Sequence, residues 1–430
     1  MSLLVKGGLV VTQNARRQVL RGDVLIDGGR IVEVGDVKGK ADEVLDAKDC
    51  IVMPGLINCH THVAMALMKS VADDVKLEKF LDRTFAIDAK RTPEDVAVGA
   101  TLGCLEMART GTTTFMDIYY SEDAIAESVE EVGLRGYLGW TVLDEQFTTQ
   151  KGRPIDNCAK FIRAHKDRPL IRPLVAPQGV YVCSDETLMQ AKDLAAKEGT
   201  FCHFHLSETR YEVYEYQKKK GKRPADHLAD IGFFSKGDVA AHGVWLTMNE
   251  VRGLAKNGVS VAHCPTSNMK LASGGVAPLP EMFENKVNVC LGTDSSSSNN
   301  SLDMFLEMKF ASLMHKSFRW DATVVGAQKA LDMATVDAAK ALGAGKELGS
   351  IEPGKKADIV VVDCDTPGMV PTTLDNAVAN LVYASPSRAV RHTIVDGKFV
   401  LKDGMIVTLD ESGFLKKAKS VADDLVGRTK

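Results

Sequence analysis

Apolar and polar positions follow two different patterns along the chain. Near both ends the apolar runs are short, β-branched and broken by Gly or Asp. VLIDGGRIVEVGD reads as two strands joined at an Asp-Gly turn, and HTIVDGKFVLKDGMIV repeats the device with Asp396-Gly397 and Asp403-Gly404. Residues 1–53 and 356–409 therefore read as parts of one small sheet domain. Between them, short apolar runs alternate with stretches of helical period such as 93–109, 185–197 and 322–342. Eight runs read as strands, namely IVMPGLINCHTH, TTTFMDIYY, RGYLGWTVLD, LIRPLVAP, TFCHFHLSE, DVAAHGVWL, GVSVAHCPT and VNVCLGTDS. Their spacing leaves room for crossover helices. The expected fold is α/β: a (β/α)8 TIM-like barrel over 54–355, with a small β-sandwich domain built from both chain ends. Residues 410–430 read as a C-terminal surface helix.

Composition narrows the partners. The chain has 430 residues, 45% hydrophobic and 26% charged, enough for a large core and unlike a disordered protein. Lys and Arg number 53 against 57 Asp and Glu, a net charge of -4. No basic excess invites nucleic acid or an anionic membrane, so a small-molecule substrate is the expected partner. No apolar run approaches the ~18 residues that span a bilayer, and MSLLVKGGLVVT soon meets Arg16 and Arg17, so a cytoplasmic protein is expected. The nine cysteines run from Cys50 to Cys364 without a C-x-x-C pair, which suits reduced, buried thiols better than disulfides or a zinc knuckle.

The histidines fall unevenly. His60 and His62 end the first candidate strand, His203 and His205 the fifth, His242 the sixth and His263 the seventh, while Asp294 ends the eighth. Reactive groups of such a barrel sit at the carboxyl ends of its strands. His-x-His in a strand turns both imidazoles to one face, because side chains alternate with a period of two, and both then reach one ion. A single histidine at a strand end is ordinarily a packing or capping group. Several, with an aspartate closing the last strand, point to a metal.

NCHTHVAMALMKSVADD, HFHLSET, AAHGVWL, HCPTSNMKLASGGVAPLP and LGTDSSSSNNSLDMF closely resemble the amidohydrolase superfamily. Within it they are most similar to the 5'-methylthioadenosine/S-adenosylhomocysteine deaminases, the branch acting on adenosine-type nucleosides. The likeness extends to PGLIN before the first ligands and to SIEPGKKADIVVVD, where the chain re-enters the small domain. The resemblance implies that His60, His62, His205 and Asp294 hold one divalent metal, zinc foremost, with Fe2+ or Mn2+ also compatible. Many relatives bridge a second metal with a carboxylated lysine after the fourth strand; here that strand ends Ala176-Pro177-Gln178, so one metal is expected. By spacing alone His203 is as eligible as His205. The family pattern favours His205, because Glu208 keeps its register to it.

The resemblance also implies roles. Glu208 matches the family's general acid, protonating a ring nitrogen and helping ammonia depart. Asp294 accepts a proton from the attacking water, and His242 orients that water. His263 is expected to line the pocket or pack in the core, and the 295–300 loop to cap the following helix. Asp88 stands where nucleoside-acting members carry a ribose-binding glutamate, and Gln178 where they carry a histidine. Arg153 aligns with one of two arginines that greet an amino-acid carboxylate, and Trp140 replaces the other. The expected reaction is hydrolytic deamination of an aminopurine nucleoside, such as 5'-methylthioadenosine, 5'-deoxyadenosine, adenosine or S-adenosylhomocysteine, to the inosine-type product and ammonia. The alternative is another amino-heteroaromatic: guanine, cytosine, a pterin or an s-triazine. Such relatives often pair or assemble further, so a homo-oligomer is expected.

Overall fold

The computed structural model describes residues 2–384 and 386–428. Strands β1 (Leu3–Val11), β2 (Val19–Asp27), β3 (Arg30–Gly35), β4 (Glu43–Asp46) and β5 (Cys50–Pro54) open the chain. The next eight are β6 (Leu56–Thr61), β7 (Thr112–Tyr119), β8 (Arg135–Val142), β9 (Ile171–Pro177), β10 (His203–Leu206), β11 (Val239–His242), β12 (Ser260–His263) and β13 (Val289–Leu291). Then β14 (Ile359–Asp363), β15 (Val390–Val395), β16 (Lys398–Lys402) and β17 (Met405–Ile406) follow.

The middle eight form two parallel four-stranded sheets, β6-β7-β8-β9 and β10-β11-β12-β13. They meet at both seams. Val175 bridges Cys202 in parallel at one, and the Asp294 amide donates to the His60 carbonyl at 2.9 Å at the other. Gly292 makes the second seam possible, since a Cβ there would lie 2.7 Å from His60 Cβ and 2.8 Å from its nitrogen. Ile57, Cys59, Met116, Ile118, Leu174 and Ala262 fill the barrel interior. Such layered packing leaves the strand ends as the place for chemistry.

The outer strands form one nine-stranded sheet in the order β17-β16-β15-β14-β5-β1-β2-β3, with β4 joining β1. Strand β1 serves two neighbours on one side: Leu3 to Lys6 pair with β4, and Leu9 and Val10 pair with β5. Leu3, Val5, Val10, Val24, Ile359 and Ile394 pack together on its inner side. Arg135, only 2% exposed, leaves the barrel at the start of β8 and meets Asp358 at 3.2 Å and Asp396 at 2.8 Å, tying the sheet to the barrel.

Several boundaries differ from the sequence pattern. The run 51–62 divides at Gly55: β5 belongs to the outer sheet and β6 to the barrel. The stretch 322–342 becomes two short helices, Ala327–Met333 and Val336–Ala341. The first hairpin turns on Gly28 and Gly29, both at positive φ, rather than on Asp27-Gly28, whereas Asp396-Gly397 and Asp403-Gly404 turn as expected. The C-terminal helix spans Glu411–Gly427, and 429 and 430 lie outside the described residues. All nine cysteines are buried and free. Among the described residues no helix is long and apolar enough to cross a membrane.

Candidate metal centre and active site

Four barrel strands deliver a knot of donor atoms to one end of the barrel. His60 and His62 come from the end of β6, His205 from β10, His242 from β11, and Asp294 from just beyond β13. Donor atoms of His60, His62 and Asp294 lie within 4.8 Å of one another, as do those of His60, His205 and His242, and of Glu208, His242 and Asp294. Asp294 Oδ1 is 3.5 Å from His60 Nε2 and 3.3 Å from His62 Nε2, and His62 Nε2 is 3.3 Å from His205 Nε2. Donors held 2.0–2.1 Å from one ion at tetrahedral angles lie ~3.3 Å apart, so these edges suit a single zinc-sized ion. His60 Nε2 is buried with no hydrogen-bond partner, an expensive state that a cation would relieve.

The other ring nitrogens explain why the Nε2 atoms face inward. His62 Nδ1 donates to the Ile118 carbonyl and His205 Nδ1 to the Gln178 carbonyl, each at 2.6 Å. His203 Nδ1 donates to the Val239 carbonyl at 2.8 Å, so in the neutral ring its Nε2 accepts the His60 Nδ1 proton at 2.9 Å. His203 is thus no ligand but a support for one, the kind of outer contact that fixes a metal-binding tautomer. Burial favours the neutral form of His60 and His203: it holds His60 well below its ordinary pKa and brings His203 down to about 3. Burial pulls His62 down as well, but the Asp294 carboxylate more than offsets it and sets its pKa at about 9. A cation binding there would displace that proton.

Asp294 is locked in place by hydroxyls. Ser267 Oγ and Ser298 Oγ donate to its Oδ2 at 2.6 and 2.9 Å, and the Ser295 amide donates to its Oδ1 at 2.7 Å. The 295–300 loop therefore serves the aspartate instead of capping the next helix, whose cap is Asp303, accepting from the Phe305 amide at 2.9 Å. His242 at φ 73° and Asp294 at φ 62° both occupy left-handed backbone, a strain that barrel ends concentrate at working residues.

Glu208 follows β10, and its Oε2 lies 3.7 Å from His242 Nε2. Burial raises its pKa above the ordinary carboxylic value. The Asn268 amide donates to His242 Nδ1 at 3.2 Å, leaving the His242 proton on Nε2, toward Glu208. Glu212, by sequence one more charge in a polar loop, is instead a half-buried clamp. Its Oε1 accepts from the Ser207 amide at 2.9 Å and its Oε2 from the Glu208 amide at 2.8 Å. Burial pushes its pKa up to about 7. The signal was present as Thr209 capping a helix whose first turn holds Glu212, but a cap does not show which way the carboxylate turns. Glu212→Ala strands two backbone N–H groups under Glu208, and kcat is expected to fall by about a hundredfold with metal content unchanged. Ammonia release together with elemental analysis checks this; an unaltered kcat would mean that Glu212 does not hold the loop.

The expected substrate contacts are less uniform. Asp88 is fixed by the Tyr119 hydroxyl. Gln178 lies beside Thr141, whose Oγ1 donates to Gln178 Oε1 at 3.4 Å. Trp140 faces the helical layer, its ring 6.2 Å from Phe161, so the residue of β8 that meets Gln178 is Thr141 and not Trp140. Arg153 is 56% exposed and paired with Glu145 at 3.2 Å and Asp156 at 3.7 Å. His263 packs in the core against His315, Nε2 to Nε2 at 3.3 Å.

A parallel barrel whose strand ends gather histidines, an aspartate and a half-buried glutamate defines a metal-dependent hydrolase site. Residues 51–400 match the amidohydrolase family, and the chain belongs to it. It is 40% identical over 432 residues to a 5'-deoxyadenosine deaminase of Methanosarcina mazei, covering 99% of each chain. It is 42% identical over 407 residues to a 5-methylthioadenosine/S-adenosylhomocysteine deaminase of Thermococcus onnurineus, covering 94% of this chain and 95% of the other. An adenosine deaminase from Xanthomonas campestris with bound zinc superposes with a TM-score of 0.94 at 33% identity, covering 99% of this chain and 98% of that one. The enzyme is a hydrolase acting on C–N bonds.

Proposed function

We propose that the enzyme hydrolytically deaminates adenosine-type nucleosides, water replacing the 6-amino group as ammonia. The observation that carries this reading is the placement of a half-buried Glu208, its pKa raised by desolvation, against His242 and the donor knot. Names of the full-length relatives agree with it. His60, His62, His205 and Asp294 would hold one zinc ion, which when bound supplies the Lewis acidity that brings water toward ionisation near neutral pH. Glu208 gives its proton to the ring nitrogen beside the amino-bearing carbon, making that carbon electrophilic. His242 orients the attacking water through its Nε2 proton. Asp294 takes one proton from that water and passes it to the departing amine, and the second proton of the water, released as the C–O bond becomes a carbonyl, returns to Glu208, so that product and ammonia leave with Glu208 and Asp294 restored.

Asp88 and Gln178 flank the sugar and base in this reading. Arg153, paired with two carboxylates at the surface, offers an amino-acid tail only half of a two-arginine clamp. Adenosine, 5'-deoxyadenosine and 5'-methylthioadenosine are therefore expected to exceed S-adenosylhomocysteine in kcat/KM by about tenfold or more, and to exceed adenine, guanine and cytosine by about a hundredfold. Following ammonia from zinc-loaded enzyme tests this. No release from any nucleoside, or a free base as the preferred substrate, overturns the reading.

The chain is read as a barrel at 54–355, a sandwich from 1–53 with 356–409 and a terminal helix at 410–430, working on a small molecule as a cytoplasmic homo-oligomer. Nine buried free thiols suit a reducing compartment.

A further inference from the structure

Asp88 is an odd place for a carboxylate. It is the last residue of the helix Leu77–Asp88, the end where the helix dipole is negative and an acid is disfavoured. A buried cluster is assembled to keep it there. The Tyr119 hydroxyl donates to Asp88 Oδ1, and Arg91 Nη1 donates to the Tyr119 hydroxyl at 2.7 Å while lying 3.5 Å from Asp88 Oδ1. Arg91, its side chain fully buried, also donates from Nη2 to the Ala64 carbonyl at 2.7 Å. The Tyr120 hydroxyl donates to the Asp88 carbonyl at 3.0 Å, with the two tyrosine rings stacked 4.4 Å apart. Burial holds the Tyr119 phenol well above its ordinary pKa, so it stays a donor.

The cluster is joined to the metal centre through one strand end. Ile118, at the end of β7, receives the His62 Nδ1 proton, and the next residue, Tyr119, holds Asp88 with its ring 6.4 Å from that of His62. The Tyr120 phenol also lies beside the Asp88 carboxylate, which is nonetheless 17% exposed. A carboxylate held by tyrosine hydroxyls and still partly open is suited to accept from neighbouring hydroxyls of a ligand.

We propose that Tyr119 and Arg91 are positioning residues that aim Asp88 at the vicinal 2' and 3' hydroxyls of the sugar, making the end of β7 the determinant of preference for diol-bearing nucleosides. The inference rests on the nucleoside reading above.

The test compares adenosine with 2',3'-dideoxyadenosine, which differ only in the diol, on zinc-loaded enzyme. Tyr119→Phe is expected to raise KM for adenosine about tenfold, to change kcat by less than about threefold, and to shrink the adenosine-to-dideoxyadenosine ratio of kcat/KM about tenfold. Asp88→Ala is expected to erase that ratio, and adding Tyr119→Phe to it should shrink the ratio no further, since the two act as one unit. If Tyr119→Phe does not fold, Arg91→Lys, which keeps the charge but loses the fork joining Tyr119 to Ala64, is expected to shrink the same ratio. Equal slowing of both substrates, or full additivity of the two substitutions, overturns the positioning role. A wild-type enzyme that releases no ammonia from any nucleoside overturns the nucleoside reading itself, whereas an active wild type whose ratio survives Tyr119→Phe overturns only this proposal.

Discussion

Glu208→Gln is expected to slow ammonia release by about 10³-fold while leaving metal content and KM near those of the wild type. Glutamine keeps the shape and one acceptor oxygen but cannot give up a proton as an acid. The carboxyl is well placed to act as one, since burial raises its pKa, the Glu212 carboxylate fixes its backbone amide, and His242 Nε2 lies 3.7 Å from Oε2. A water nucleophile alone does not make an aromatic C–N bond break, because the ring carbon must first become electron-poor. Loss of the proton donor should therefore appear in kcat and hardly in binding. Steady-state kinetics with metal analysis decide it; activity within tenfold of the wild type would remove Glu208 from the acid role.

Stripping the enzyme with a chelator is expected to bring turnover to background, and one zinc per chain should restore it. One ion is the expectation because the donors form a single knot and the residue that follows β9 is Gln178, not a lysine that could bridge a second metal. Asp294→Ala should be equally damaging, since it removes the sole carboxylate among the four proposed ligands and leaves the hydroxyls of Ser267 and Ser298 without their acceptor. His203→Ala is a subtler form of the experiment. It leaves all four proposed ligands in place but frees His60 Nδ1, and metal affinity is expected to weaken by about 10–100-fold. Titration of stripped protein with zinc measures both effects. Full activity in thoroughly stripped enzyme, or a requirement for two ions per chain, contradicts this assignment.

Sequence carried much of this arrangement, and the reasons are physical. Strand-end histidines are conspicuous because a polar ring at the close of an apolar run has few ordinary reasons to be there, and the period of two already placed His60 with His62 on one face. The same period could not choose between His203 and His205, since both share that face; the choice is made by the Val239 carbonyl, 36 residues away along the chain. Ser298 looked like a cap because hydroxyls before a helix usually are, and only the loop's return toward Asp294 gives it another acceptor. Trp140 stands where the family resemblance puts a binding residue, yet strand alternation turned it outward to Phe161. Tyr119 carries no local signal of its role, because it sits in an apolar run and reaches Asp88 across 31 positions. Contacts of that kind arise from tertiary folding and leave no local period.

The outer sheet has a consequence for how the chain is made. Strand β5 pairs on one side with β14, Val361 opposite Val52, so two segments some three hundred residues apart share a ladder. On a ribosome, the open edge of β5 must wait until most of the polypeptide has emerged, an exposed template for wrong partners in the interval. Because only Gly55 separates β5 from the strand bearing His60, this late-arriving strand also steadies the first ligand. Nascent chains halted before β14 should thus depend on chaperones and bind metal poorly, even with every coordinating side chain already synthesised.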